Sequence, residues 1–423
     1  SPLLANFYLD PFDEAMESRG HRMVRFGADF VILCHDRASA ERALEEAREE
    51  LAALRLDLSA AKTGISPVDL GFTFLGMDLG PELQEQLVEQ TALRKPVYVG
   101  PEFGFVGVSG HTLVVKREGQ VVGQAPLQRI GELILLGSQS LSTRLLQVCS
   151  DRRIPVSFCT ASGYYLNTLR PDSRRHFDTL GRHTARFEGM APEARLGVAR
   201  RIAHAKLWNY LRWLDEVPLD PPGKERRNAV PPLLAEIDRA ASADEVRGFE
   251  GRAAAILHPL VNGLVRAPGF ESGGRKPRRK EDRWNCLQDF AYFLLFTRLN
   301  VLTRGRGLNP YLGFLHSHHD RYESLVCDLQ EPFRARIDRM LIKLVNRRVI
   351  GAEDFAEETG EGGASFRLEK AGIGKLIQAF EREMETSLAG DPGKLSHLLA
   401  GQVAQLERWC WGESGDFLIY RAD

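Results

Sequence analysis

The feature that most constrains this chain is a change of hydrophobic period near residue 170. From 97 to 169 the apolar residues come in short runs, at 97–99, 103–108, 113–116, 121–124, 133–136, 154–159 and 164–169. Runs of this length, rich in β-branched and aromatic residues and separated by turn residues, read as strands. Arg117-Glu118-Gly119-Gln120 joins two of them as a hairpin, and one helix is expected near 142–150. After Arg170-Pro171-Asp172 the apolar spacing becomes three to four residues and stays so to the end. The switch predicts a small β-rich domain at 96–172 followed by a large all-α domain at 173–423.

Within the helical part, Ser242-Ala243-Asp244-Glu245 is a capping box that opens a helix running to Leu264. Residues 284–300 are apolar nearly all round, which predicts a buried central helix. Leu325, Leu329, Phe333, Ile337, Leu341 and Leu344 stripe one side of a further helix. Between the first two of these lies Gly273-Gly274-Arg275-Lys276-Pro277-Arg278-Arg279-Lys280, a basic, helix-breaking loop.

Ahead of the β-rich stretch, residues 1–80 carry a different order. Val24-Arg25-Phe26 and Phe30-Val31-Ile32-Leu33-Cys34 are strand-like and meet at a tight turn, Gly27-Ala28-Asp29. A helix is expected at about 38–54, then strands at Lys62-Thr63 and 71–76. This is too little for a stable domain by itself. Residues 81–95 are Glu/Gln-rich and read as a linker or connecting helix. The chain starts at Ser1, without Met, inside an apolar helical pattern, so a fragment of a longer polypeptide is expected. The fold class is α+β, multidomain.

With 43% hydrophobic residues and a formal net charge of −1 over 423 residues, the chain has the composition of a folded protein. Near-neutrality leaves a nucleic-acid partner open, because binding depends on where cations cluster. Six scattered cysteines with no C-x-x-C spacing argue against a disulfide framework or a cysteine zinc site, and fit a reducing cytosol. No apolar run approaches the roughly 18–20 residues of a membrane span, and no basic-then-apolar signal segment opens the chain. A cytoplasmic, soluble protein with no membrane partner is the expectation.

Four side chains have a composition suited to a metal. Glu250 lies mid-helix in Gly248-Phe249-Glu250-Gly251-Arg252, where glycines let another chain approach closely. His316 ends the run Tyr311-Leu312-Gly313-Phe314-Leu315, and Asp328 and Glu331 share one helix face at i and i+3, beside the apolar stripe. Carboxylates with an imidazole suit a hard divalent cation that keeps positions open for phosphate oxygens and water. Singly, each has a plainer reading: Glu250 solvated, His316 packed, Asp328 an N-cap. His318, His319 and Asp320 read as a solvated loop. The cations of 275–280 suit DNA phosphates, with Lys206, Asn209, Arg226 and Arg227 as an extension of that surface.

Gly307-Leu308-Asn309-Pro310-Tyr311-Leu312-Gly313-Phe314-Leu315-His316, followed by Cys327-Asp328-Leu329-Gln330-Glu331-Pro332-Phe333-Arg334, closely resembles the signature of the CRISPR spacer-acquisition integrase family, Cas-one. Phe249-Glu250-Gly251, Arg278 with Asn285, Pro155-Val156-Ser157-Phe158 and Gly163-Tyr164-Tyr165-Leu166 resemble further segments of that family, in order, over roughly 96–390. The resemblance implies a metal-dependent DNA integrase and endonuclease. It implies Glu250, His316 and Glu331 as catalytic metal ligands, Asp328 as an accessory acid, and Mg²⁺ or Mn²⁺ as cofactor. Contacts to prespacer and CRISPR-repeat DNA are implied for Arg275, Lys276, Arg278, Arg279, Lys280 and Asn285. A homodimer is implied, two dimers per integration complex, assembled with the small protein Cas-two.

Residues 1–80 resemble something else. Ser1-Pro2-Leu3-Leu4-Ala5-Asn6-Phe7-Tyr8-Leu9, Pro11-Phe12-Asp13, the hairpin 24–33, Lys62-Thr63 and 71–76 resemble the later palm motifs of group II intron-type reverse transcriptases, which occur fused to the integrase in type III CRISPR systems. Where that family has Tyr-x-Asp-Asp, this chain has Phe26-Gly27-Ala28-Asp29, so the first aspartate is missing. Two-metal phosphoryl transfer relies on carboxylates to hold both ions, and losing about 4 kcal/mol of that stabilisation slows a reaction roughly a thousandfold. A degenerate or truncated remnant is expected, with Lys62 idle. An active reverse transcriptase-integrase acquiring spacers from RNA and a catalytically silent DNA scaffold stay open as alternatives.

Overall fold

The first element is a helix, α1 (Pro2–Ser18), followed by a hairpin of β1 (Arg22–Phe26) and β2 (Asp29–Leu33), helix α2 (Arg37–Ala53) and a second hairpin of β3 (Phe72–Phe74) and β4 (Met77–Leu79). The computed structural model describes residues 2–34, 36–59, 63–66, 72–74, 77–79, 95–161, 163–170, 173–275, 280–316, 322–360, 363–388, 393–417 and 419–422. These fall into two compact units, Ser1–Lys95 and Pro96–Asp423.

In the first unit, α2 starts where the Asp36 carboxylate accepts from the Ser39 backbone N–H at 2.7 Å, satisfying a free helix-end donor. Phe12 and Met16 of α1 bury against Ala47 and Leu51 of α2, a small core for a small unit. Arg25 Nε donates to Asp13 Oδ1 at 2.7 Å, tying β1 to α1. The β1–β2 turn needs Gly27, whose φ is +63°. One of the two expected strands is found in part. Thr63 lies outside any strand and Lys62 outside the described residues, and of the run 71–76 the described residues Phe72–Phe74 form a strand that pairs with Met77–Leu79. Residues 81–94, read as linker, also lie outside the described residues.

The second unit begins with two four-stranded sheets. One has the order β10 (Ser140–Leu141), β6 (Phe105–Ser109), β7 (Thr112–Arg117), β8 (Gln120–Pro126); the other has β12 (Tyr165–Leu169), β11 (Val156–Cys159), β9 (Ile130–Leu136), β5 (Lys95–Val99). Helix α3 (Thr143–Asp151) packs its Leu145, Val148 and Cys149 into the core that the sheets share. Strand β9 shows why its run Leu133–Leu136 is apolar at every position. Leu133 and Leu135 enter that core, while Ile134 and Leu136, on the opposite face, join the core of the helices. A strand covered on both faces has no polar side to show.

Helices then follow: α4 (Arg174–Glu188), α5 (Pro192–Asp215), α6 (Pro221–Asn228), α7 (Pro231–Arg239), α8 (Ala243–Gly263), α9 (Arg283–Gly305), α10 (Ser324–Gln330), α11 (Arg334–Asn346), α12 (Lys370–Met384) and α13 (Leu395–Cys410). Ser242 caps α8 by accepting from the Glu245 N–H, and the Glu245 carboxylate reaches back to the Ala241 N–H at 2.9 Å. Helix α9 is buried along nearly its whole length, with Trp284, Leu287, Leu295 and Leu299 closed to solvent; each such side chain contributes roughly 1.5–3 kcal/mol of burial.

Two expectations for this part are corrected. It is not all-α: β13 (Phe355–Gly360) and β14 (Gly363–Leu368) form an antiparallel hairpin between α11 and α12. The stripe from Leu325 to Leu344 is not one helix, because α10 and α11 are joined by a 3₁₀ turn at Glu331–Phe333. Pro332 lacks the N–H that a continuous helix would need there.

Candidate functional site

The break at Pro332 positions Glu331. The Asn209 side chain, on α5, donates to the Pro332 carbonyl at 2.7 Å and fixes the turn against that helix. Three residues earlier on α5, the Lys206 ammonium lies 2.6 Å from Glu250 Oε1 of α8 and 2.6 Å from Glu331 Oε2. The two carboxylate oxygens therefore stand no more than twice that distance apart, one on each side of a single cation. Arg334 Nη2 lies 3.0 Å from the other Glu331 oxygen, and its guanidinium stacks 4.8 Å from the Tyr292 ring centre.

His316 comes to the same place from the loop after α9. Its Nδ1 lies 2.6 Å from Asp328 Oδ1; in the neutral imidazole, with Nδ1–H donating to that oxygen, Nε2 is the lone-pair nitrogen, 3.9 Å from Glu331 Oε1. Asp328 is closed to solvent and also accepts the backbone N–H groups of Phe314, Leu315 (2.9 Å) and His316 (3.0 Å). Arg247, one turn before Glu250 on α8, donates to the Leu315 carbonyl at 2.6 Å and clamps the loop from the other side.

Charge follows geometry. Burial alone would raise the Glu331 pKa, but Arg334, Lys206 and His316 outweigh it and hold this carboxyl well below the usual carboxylate range. Burial works against a charged Lys206, and Glu331 and Glu250 more than offset it, so its pKa rises. Burial also opposes protonation of His316, yet Asp328 and then Glu331 raise its pKa above the ordinary value.

Glu250, His316 and Glu331, expected as a set, are thus brought together. Asp328 faces the backbone of 314–316 and the imidazole, with both oxygens engaged, so the structure places it behind His316 rather than beside the carboxylates. Asp328 and Glu331, expected beside the apolar stripe, are both buried. The glycines flanking Glu250 admit no neighbouring segment: a Cβ at Gly248 or Gly251 would meet open space.

The expected DNA contacts divide. Asn285 is fully buried; its amide donates to the Gly274 carbonyl at 2.9 Å and to Asp282 at 2.8 Å, holding the loop from inside. Arg275 pairs with Asp289 at 2.5 Å and donates to Asn285 at 2.9 Å, with its side chain 12% exposed. Neither side chain is presented at the surface to a phosphate. Lys280 sits over the Tyr164 ring at 5.4 Å. Lys276, Arg278, Arg279 and the tract His318, His319 and Asp320 lie outside the described residues. Lys206 and Asn209 are in the site rather than on a basic surface, Arg227 pairs with Asp215 at 2.8 Å, and Arg226 is exposed. In the first unit, Phe26, Ala28 and Asp29 lie exposed at the hairpin turn.

The donor set is of the kind that suits a divalent cation: two carboxylates and one imidazole nitrogen oriented by an acid behind it. Among the described residues no three His, Cys, Asp or Glu side chains stand grouped as ligands, and the Lys206 ammonium lies between Glu250 and Glu331. Lys206, expected on a basic surface, was not expected at this centre. The available signal was a lysine inside a helix face otherwise made of Ala199, Ile202, Ala203, Leu207 and Tyr210, all buried.

Two acids from separate helical elements and an imidazole from the loop after α9 define an acid-and-histidine centre in the helical part of the chain. The model of the CRISPR associated protein Cas1 family matches residues 97–382, and the chain belongs to that family. A CRISPR-associated endonuclease Cas1 of Methanospirillum hungatei is 30% identical over 314 residues, 73% of this chain and 83% of that protein. In fold the chain is similar to a CAS1 protein from Thermotoga maritima, with TM-score 0.65 and 23% identity over 77% of this chain and all of that one. It is also similar to the chain of a Cas6-RT-Cas1–Cas2 complex, with TM-score 0.68 and 17% identity, which covers 100% of this chain and 48% of that one. Among the described residues no helix is long and apolar enough to cross a membrane.

Proposed function

We propose that this chain is a metal-dependent DNA integrase and endonuclease of CRISPR adaptation, joining the 3′-hydroxyl of captured DNA to the border of a CRISPR repeat. The observation that carries this reading is the pair Glu250 and Glu331 bracketing one cation, with His316 Nε2 beside Glu331. These three would hold Mg²⁺ or Mn²⁺, which when bound supplies Lewis-acid activation of a hydroxyl or water and neutralises charge on phosphate oxygens. Asp328 keeps the imidazole in the tautomer that presents Nε2. Arg334 stays on one Glu331 oxygen and fixes that carboxylate's rotation. The open space at Gly248 and Gly251 leaves room beside Glu250 for a DNA backbone. In the reaction the attacking 3′-oxygen forms a bond to phosphorus while the repeat's own ester bond breaks and its leaving oxygen takes a proton.

Relatives named endonucleases and a structural neighbour that is a casposase bound to integration product support a DNA substrate. The Cas6-RT-Cas1–Cas2 neighbour supports Cas2 as a partner; a second copy of this chain, with two dimers per complex, belongs to the same proposal. The same likeness runs over the whole chain, and with the α1, hairpin, α2, hairpin order of the first unit it supports residues 1–80 as part of a reverse-transcriptase palm. Ala28 at the turn argues against polymerisation by this chain, so spacers from RNA are the second reading.

The test is strand transfer into a repeat-containing plasmid in Mg²⁺ or Mn²⁺, comparing the wild type with Glu250→Ala. Transfer reduced about a thousandfold in the variant is expected, a loss of roughly 4 kcal/mol. DNA binding by the wild type with no transfer under any metal condition would favour the silent scaffold.

A further inference from the structure

We infer that Lys206 is the site's resident counter-ion, occupying the place between Glu250 and Glu331 that a divalent cation must take from it. The inference rests on the metal reading above and goes further, by assigning a residue that competes with the metal. Its ammonium stands at the same 2.6 Å from an oxygen of each acid, and its side chain is only 13% exposed, so the charge is delivered through the helix core and not from solvent. The neighbours of Lys206 on α5, Ala203, Ala205, Leu207 and Tyr210, are buried and leave its stem one direction, toward the acids.

Physical chemistry gives the arrangement a purpose. A buried and a largely buried carboxylate this close repel strongly when no cation lies between them, because the protein screens charge less than water does. Arg334 cannot serve both, since its guanidinium is occupied by Glu331 Oε1 and the Tyr292 face. A lysine can, because its compact charge rides on a flexible four-carbon stem that can withdraw, unlike the rigid fork of arginine. The ammonium lies at 2.6 Å from the buried Glu331 Oε2, a short charge-assisted contact that a closer, doubly charged ligand would have to replace. The metal-free site is thereby held preformed, and loading requires the ammonium to leave.

The test measures Mn²⁺ binding by titration calorimetry on the full chain, for wild type, Lys206→Met and Lys206→Gln. Both variants should bind Mn²⁺ about tenfold more tightly than wild type, equivalent to about 1.4 kcal/mol. They should melt lower than wild type without metal and recover more on adding it. In the wild-type chain, saturating Mg²⁺ should raise acylation of Lys206 by N-hydroxysuccinimidyl acetate several-fold, read by mass spectrometry, which needs no variant to fold. Wild type that binds Mn²⁺ while the variants bind it equally or more weakly, or Lys206 acylation unchanged by Mg²⁺, would overturn the inference and leave the metal reading standing. Mn²⁺ bound by neither wild type nor variants would instead remove the metal reading itself.

Discussion

The imidazole of His316 donates from Nδ1 to Asp328 Oδ1 at 2.6 Å, while the same carboxylate gathers the backbone N–H groups of residues 314–316. One fully buried acid thus sets both the path of the loop and the tautomer of its histidine. Asp328→Ala should strand these donors and destabilise the fold by about 3 kcal/mol or more, read by urea unfolding. Asp328→Asn should keep more of the fold yet lower Mn²⁺ affinity by roughly 10–100-fold. An Asn variant with wild-type affinity would mean that the imidazole needs no such support.

Glu331 answers two cations at once. Glu331→Gln would leave Lys206 and Arg334 buried without their shared anion, and removing one partner of a buried ion pair costs roughly 3–5 kcal/mol. A lower urea midpoint without change of slope, together with loss of strand transfer, is the expected outcome.

Gly313 is pressed against the start of α10. A Cβ there would lie 2.7 Å from Ser324 Cβ and 2.9 Å from the Ser324 carbonyl carbon, and a backbone atom cannot swing aside. Gly313→Ala should therefore cost roughly 1–3 kcal/mol and shift His316, three residues on. Unchanged melting and unchanged strand transfer would contradict that contact.

Stability should also depend on pH through a group that is not one of the site's acids. Burial pushes the Glu132 carboxyl from 4.5 up to about 7, against the opposing charge of Arg298 and the hydrogen bond from Ser157. The folded chain then holds this proton between pH 4.5 and 7 while the unfolded chain has released it. Its contribution is fully present below pH 4.5 and is lost as pH rises through 7, a change of roughly 3 kcal/mol. Glu132→Gln should melt higher than wild type at pH 8 and about equally at pH 4.5.

Arg275 separates a structural cation from a DNA-binding one. Because it is spent on Asp289 and Asn285, Arg275→Ala should lower the melting temperature while leaving the salt dependence of DNA binding unchanged. A free phosphate contact would instead reduce the log-log slope by about 0.9.

Periodicity made much of this architecture readable. The runs at 113–116 and 133–136, the buried helix around Trp284 and the cap at Ser242 are local patterns, and alternation of two or of three to four residues is imposed by the backbone itself. The spacing of His316, Asp328 and Glu331 was legible too. Their division of labour was not: nothing in the order Asp328, Glu331 tells which acid turns toward the histidine's backbone and which toward a cation.

That division, and the roles of Lys206, Asn285 and Arg275, were decided by packing. Lys206 meets Glu250 and Glu331 only because α5, α8 and the turn at Pro332 are brought side by side, and Arg275 is spent because its loop folds back on α9. Sequence specifies which groups a segment carries and which of its faces is apolar. Which charges then meet depends on contacts between residues distant along the chain, and these form only when the shared core closes.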